Sequence, residues 1–84
     1  MFIGATRSCL ERNYDLLSTL QKSKPAYLKV SDLLEQLGTN LAFTLYLLEE
    51  NSKAGRIKYH KGKGCEILPE GEEYLAELRR RLNS

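Results

Sequence analysis

Residues 56–75 read RIKYHKGKGCEILPEGEEYL, and this stretch decides the fold of the chain. Apolar residues alternate with polar ones over 57–60 and again over 65–67, which is the period-two pattern of half-buried strands. The two glycines between these segments favour the positive φ values that a tight hairpin needs. Pro69 suits a first helical position, and the glutamates that follow it favour the positive end of a helix dipole. The stretch therefore predicts a strand, a turn, a second strand and a helix over about 69–82.

Length and composition predict one domain over residues 1–84, with a loose N-terminal arm at 1–7. The 84 residues are 42% hydrophobic and 29% charged, as in ordinary globular domains. No apolar run approaches the roughly 18 residues of a membrane span, so we expect a cytoplasmic protein without membrane contact. Cys9 and Cys65 are far apart and form no Cys-x-x-Cys pair, and we expect two reduced thiols and neither metal nor cofactor.

Positive charge is concentrated in the predicted hairpin, although the net charge of the chain is only +2. From position 53 to position 63 there are five cations, one histidine and no acidic residue. Such a patch indicates contact with phosphate. The alternative is a lysine-rich strand edge that only prevents aggregation. The six residues are Lys53, Arg56, Lys58, His60, Lys61 and Lys63.

A first helix is predicted over about residues 8–22, because apolar residues recur there at helical spacing. Ser8 and Glu11 have the spacing of a capping box at its start. A short extended segment at 26–30 is a candidate strand for pairing with the hairpin. The polar side of the helix, which we expect to face solvent, contains Arg12, Asn13 and Asp15.

Two further helices are joined by a short turn at Gly38, which is expected to end the first of them. Ser31 is the predicted cap of that helix, which spans about 31–37. The second helix is capped by one of the two residues at 39–40 and runs to about Lys53. Together they form a predicted helix-turn-helix unit.

The helix after Gly38 is apolar on two sides. One side repeats at i, i+4 and i+7, is assigned to the core, and contains Leu41, Leu45 and Leu48. The opposite side is unusually apolar for a surface, so a protein partner there is an open alternative. That side contains Phe43, Tyr46, Leu47 and Glu50.

The predicted fold, mainly α with a small β-hairpin in the order α-β-α-α-β-β-α, resembles the winged helix-turn-helix domain of bacterial and archaeal transcription regulators. The resemblance covers about residues 8–82. It rests on SDLLEQLG at 31–38, on the segment 48–57, and above all on ILPEGEEYL at 67–75. The last segment is similar to the Leu-Thr-Pro-Glu-Gly step common in these regulators, with Leu68 in place of the threonine.

The resemblance implies a DNA-binding protein, a small transcriptional regulator whose third helix enters the major groove of double-stranded DNA and whose hairpin contacts phosphate. Residues 39–52 contain no lysine or arginine. A winged helix used for protein–protein contact or assembly, without DNA binding, is therefore kept as the alternative. The residues carried over to DNA contact are Thr39, Asn40, Phe43, Thr44, Leu47, Lys58, His60, Lys61 and Lys63.

The resemblance and the short chain also predict a homodimer, because a small domain gains from added burial. The expected interface involves the first helix and the last, with Tyr74, Leu75, Leu78 and Leu82 on the last helix. Catalysis is not expected, because His60 is the one histidine and no nucleophile–base set accompanies it.

Overall fold

Four helices and one hairpin follow one another in residues 9–83, the part of the chain that the structure, a computed structural model, describes. The predicted N-terminal arm and the Ser8 cap lie outside these residues. None of the described helices is long and apolar enough to cross a lipid bilayer. The elements are α1 (Cys9–Ser23), α2 (Val30–Leu37), α3 (Leu41–Lys53), β1 (Ile57–His60), β2 (Gly64–Ile67) and α4 (Pro69–Asn83).

The two strands form the predicted antiparallel hairpin, with Ile57 opposite Ile67 in the register. The prediction for the turn is confirmed, since Gly62 and Gly64 have φ values of 79° and 122°. Both glycines therefore occupy backbone conformations that side-chain-bearing residues rarely adopt. The hairpin geometry follows from the two positions at which a side chain is missing.

The extended segment predicted at 26–30 forms a single bridge rather than a full strand. Leu28 and Cys65 exchange two backbone hydrogen bonds, of 3.1 and 2.7 Å. β2 therefore lies between β1 and the backbone of Leu28. This bridge connects the hairpin to the start of α2.

The hydrophobic core draws side chains from every helix and both strands. The leucines that recur at helical spacing in α1 belong to it, as do the apolar hairpin residues Ile57, Cys65 and Ile67 but not Tyr59. Burial of this kind is the main favourable term in folding. The core residues are Leu16, Leu17, Leu20, Leu33, Leu47, Leu48, Ile57, Cys65, Ile67, Leu75 and Leu78.

The C-terminal end of α2 agrees with the prediction, whereas its N-terminal end does not. Ser31 is not the cap, because α2 begins one residue earlier than predicted and the cap position falls on Lys29. A lysine side chain has no hydrogen-bond acceptor, and the Lys29 N–H instead donates to Oδ2 of Asp32 at 3.1 Å. Gly38 ends the helix as predicted, with a φ of 65° and an N–H that donates to the helix at 3.0 Å.

The polar side of α1 does not simply face solvent, and that prediction was wrong. Arg12 donates from Nη1 to the carbonyl of Leu37 at 3.3 Å. Asn13 accepts from Nδ2 of Asn51 at 2.8 Å. These contacts attach α1 to both helices of the helix-turn-helix unit. Hydrophobic periodicity does not reveal them, because it shows where apolar residues point and not which polar residues find partners.

Gly71 allows the start of α4 to pack closely on the chain that enters the hairpin. The residue is buried. A Cβ atom there would lie 2.8 Å from Cγ1 of Ile67 and still closer to the carbonyl oxygen of Arg56. The same carbonyl accepts the N–H of Leu68 at 2.8 Å, so it has little freedom to move away.

We expect Gly71→Ala to destabilise the fold by about 1–3 kcal/mol, the usual cost of overpacking a core. Urea unfolding should show a lower midpoint at an unchanged slope. The sign of this change in stability distinguishes a closely packed position from an ordinary one, because Gly→Ala in an unconstrained helix stabilises by about 0.8–1.0 kcal/mol. Glu73→Ala, at an exposed position of the same helix, is the control and should stay within about 0.5 kcal/mol of wild type. Equal or higher stability of Gly71→Ala would contradict the close packing.

Candidate functional site

Three lysines of the hairpin are exposed to solvent: Lys58, Lys61 and Lys63, here called the hairpin lysines. In the described part of the chain, none of them takes part in a salt bridge. Lys58 lies opposite Glu66 in the register. That carboxylate contacts His60 at 2.6 Å. The hairpin therefore presents three cations to solvent.

Two other members of the cationic stretch are engaged by neighbouring side chains. His60 contacts Glu66 through Nε2, and its ring stacks on Tyr27 with centroids 4.5 Å apart and planes at 4°. Lys53 lies 3.7 Å from the carboxylate of Glu49, one helical turn away. His60 was predicted to contact DNA, but the structure holds its half-buried ring against protein groups.

Arg56, the remaining cation, connects the core elements to one another. Its Nη1 donates to Oδ1 of Asn51 at 3.1 Å, and its guanidinium lies 3.6 Å from the centre of the Tyr74 ring. Asn51 is itself fully buried, and its Nδ2 donates to Asn13 and to the carbonyl of Leu47, both at 2.8 Å. Arg56 is therefore a structural cation and not a free phosphate ligand.

α3 is rotated about its axis relative to the prediction. Thr44 and Leu47, predicted to contact DNA, are 0% and 2% exposed. Leu41 and Leu45, predicted to be in the core, are 52% and 47% exposed. The core assignment of Leu41 and Leu45 was wrong, because a helix with two apolar sides has no single stripe that periodicity can identify. Burial leaves Thr44 and Leu47 no surface to offer to DNA. The buried side consists of Thr44, Leu47, Leu48 and Asn51.

The other predicted DNA contacts of α3 lie at its start and have structural partners. Asn40 is the cap, and its Oδ1 accepts the N–H of Phe43 at 2.8 Å. The hydroxyl of Thr39 hydrogen-bonds that of Thr44 at 2.6 Å. Phe43 is half-buried and packs against the core. Bidentate reading of adenine by Asn40 needs both of its amide atoms, and capping occupies one of them.

The residues predicted for a dimer interface on α4 are mostly internal. Leu75 and Leu78 are 0% exposed and belong to the core. Tyr74 is half-buried beneath the guanidinium of Arg56. Leu82 is 39% exposed and is the one member of the predicted set with a largely accessible side chain.

An apolar groove, which the sequence patterns did not predict, lies between α3 and β1 with a volume of about 330 Å³. Tyr59 forms part of it and is 55% exposed, although its strand position predicted a half-buried side chain. The signal that could have indicated this groove is the second apolar side of α3. The lining residues are Val30, Leu45, Leu48, Glu49, Ser52, Ile57, Tyr59 and Cys65.

A second depression, of about 310 Å³, adjoins the groove. Val30 and Tyr59 line both, so one continuous surface runs from α3 past these side chains to the hairpin turn. We call this part the basic depression, because two lysines are among its lining residues. Its other lining residues are Lys29, Ser31, Gly62, Lys63 and Gly64.

Comparison of the chain with protein-family models, curated proteins and solved structures finds no match. The resemblance to winged-helix regulators therefore stays a prediction. Among the side chains that the structure describes, no three of His, Cys, Asp or Glu are grouped so that they could hold a metal ion.

Cys65, at the base of the groove, offers a test of this packing. It is a free thiol with 0% exposure, and burial raises the pKa of its thiol. In a Cys9→Ser background, we expect folded protein to react with a thiol reagent far more slowly than protein unfolded in urea, because the thiolate is the reactive species. Comparable rates in the two states would contradict this packing.

The same pKa shift predicts a pH dependence. Folding raises the pKa of Cys65, so the unfolded chain loses the thiol proton first as the pH rises. The free energy of unfolding should therefore fall as the pH rises above about 8.5, the ordinary thiol value. Urea titrations of Cys65→Ala at several pH values should not show this fall in the free energy of unfolding.

Proposed function

We propose that this chain is a DNA-binding winged-helix protein and that its hairpin, the wing, contacts the phosphate backbone of duplex DNA. The hairpin lysines are the observation that carries the proposal, because they are exposed and make no salt bridge within the described residues. The order of elements is also the one expected of a winged helix, with the Leu28 bridge in place of the first strand. A role as a small cytoplasmic transcription regulator belongs to the same proposal.

The proposed binding is dominated by phosphate contact, with little reading of base sequence. Thr44 and Leu47 are buried, so they offer nothing to the edges of bases. Glu49 and Glu50 are exposed on α3, where they repel phosphate. Each lysine at the DNA surface releases condensed counterions, and this term is independent of sequence. The affinity should therefore depend strongly on salt concentration.

Replacement of Lys61 and Lys63 by alanine should weaken binding by a similar factor on all duplex sequences. The slope of log affinity against log salt should fall by about 2, since each phosphate contact contributes about 0.9. Fluorescence anisotropy with two unrelated duplexes at several salt concentrations measures both quantities. The control removes two exposed cations elsewhere, Lys22 and Arg80, by alanine substitution. An unchanged slope in the hairpin variant, or an equal loss in the control, would exclude the hairpin as the contact.

A second substitution tests whether α3 approaches DNA together with the hairpin. Glu50→Lys reverses a charge at an exposed position of α3. We expect tighter binding on any duplex and a salt slope larger by about 0.9, because a repulsion is replaced by a phosphate contact. Unchanged affinity would mean that α3 faces away from DNA, with the hairpin alone in contact.

Protein–protein contact is the second candidate function, and one observation favours it. Leu41, Leu45, Tyr46 and Tyr59 are between 47% and 55% exposed. Leu45 and Tyr59 line the same groove. Exposed apolar patches are typical of interaction sites, and tyrosine is enriched among the residues that dominate interface energies. The predicted homodimer is a separate proposal, for which Leu82 is the accessible residue among those predicted for the interface on α4.

A further inference from the structure

We propose that the apolar groove binds a peptide segment of a partner protein, in which apolar anchor side chains are followed by acidic residues. The occupant lies between α3 and β1 and continues into the basic depression. This inference does not depend on DNA binding, although its surface adjoins the proposed phosphate contact and shares Lys63 with it. It gives the second candidate function a defined site and a partner of defined chemistry.

The groove has the size and the surface of a preformed site. Its volume of about 330 Å³ lies within the range of about 300–1,000 Å³ found for ligand pockets. Its floor includes Ile57 and Cys65, which the core holds in place at 2% and 0% exposure. Leu45 and Tyr59 line it with about half of each side chain exposed. Covering those two side chains removes apolar surface from water, which favours an apolar occupant.

Charge determines what must follow the apolar anchors. A chain that leaves the groove past Val30 enters the basic depression, where Lys29 and Lys63 are exposed. Neither lysine forms a salt bridge within residues 9–83. At the groove itself, Glu49 is accompanied by Lys53 at 3.7 Å, which offsets its charge. The lining of the depression therefore contains two cations and no acidic residue, which favours carboxylates there.

Outside the groove, the exposed large hydrophobic residues of a second copy are, among its described residues, Leu41, Tyr46 and Leu82. Leu82 follows the arginines at 79–81 and would bring like charge to the depression. Leu41 and Tyr46 precede Glu49 and Glu50 on α3, so a second copy docked through α3 is the rival occupant, which the mass measurement below tests. DNA does not supply the pattern, because it has no apolar anchor side chains. A peptide from another protein, apolar and then acidic, satisfies both halves of the surface.

The probes are two fluorescein-labelled peptides with the same pair of leucines, one followed by three aspartates and the other by three lysines. Anisotropy titration should show binding of the acidic peptide, at least tenfold tighter than the basic one. Addition of the unlabelled acidic peptide to ¹⁵N-labelled protein should shift amide signals of Val30, Leu45 and Tyr59. Signals of α4 near Leu82 should not move.

Two polar substitutions and a matched control locate the contact. Leu45→Ser and Tyr59→Ser should each weaken the acidic peptide at least fivefold, and both change side chains that are about half exposed, so folding is retained. Leu82→Ser removes a comparably exposed leucine at 39% and should have no effect. Charge reversal of the depression by Lys29→Glu with Lys63→Glu should invert the preference between the two peptides.

Several outcomes would overturn the proposal. The proposal would be wrong if the acidic peptide did not bind at concentrations up to about 1 mM, or if both peptides bound equally well. It would also be wrong if Leu82→Ser weakened peptide binding as much as Leu45→Ser and Tyr59→Ser. A dimer mass in light scattering that Leu45→Ser converts to a monomer would assign the groove to a second copy. Loss of duplex DNA binding in Leu45→Ser would assign it to DNA. If the protein bound the acidic peptide but not duplex DNA, only the DNA-binding proposal would be wrong.

Discussion

The position of the hairpin depends on Arg56, which bonds to the helices on both sides of it. Its N–H donates to the carbonyl of Asn51 at 2.9 Å, and its carbonyl accepts from Leu68 at 2.8 Å. Its guanidinium hydrogen-bonds the buried Asn51 side chain and covers Tyr74. Without it, the Oδ1 of Asn51 would be left buried without this partner, at a cost of about 1–3 kcal/mol. These contacts of Arg56 hold the hairpin, and with it the groove and the hairpin lysines, beside α3. Gly71 contributes by letting α4 approach the backbone of Arg56 closely.

Some cations of the basic stretch at 53–63 contact other groups of the fold, and others remain exposed to solvent. The chemistry of each side chain explains the difference. Arginine has a planar, weakly hydrated guanidinium that can stack on an aromatic ring while donating sideways, so Arg56 is used inside the fold. His60 is held by stacking on Tyr27 and by Glu66. Lysine ammonium groups are strongly hydrated and stay in water. The three hairpin lysines consequently remain available to a polyanion.

The outer side of α3 and the hairpin present different chemistry on adjoining surfaces. The hairpin offers cations, whereas α3 offers leucines, a tyrosine and two glutamates. The proposed phosphate contact and the proposed peptide contact therefore fall on neighbouring parts of the molecule, and Lys63 lies where both would meet. A partner that occupies the basic depression would compete with DNA for this lysine. The two proposals together describe a small domain in which an acidic partner weakens nucleic-acid binding by direct competition.

Local features of the chain were determined by its sequence alone. Gly38 and Pro69 mark helix ends because their backbone chemistry acts within one turn, and the hairpin follows from period-two alternation with glycines between the strands. Of the two predicted cap candidates for α3, Thr39 and Asn40, only the structure selects Asn40. The rotation of α3, the engagement of Arg56 and His60, and the groove were decided by the tertiary structure. Periodicity identifies a buried side only when one side is apolar, and α3 is apolar on two. Which of these sides the core covers depends on partners outside α3, above all Asn13 on α1 and Arg56 just after α3, whose hydrogen bonds require Asn51 to face inward.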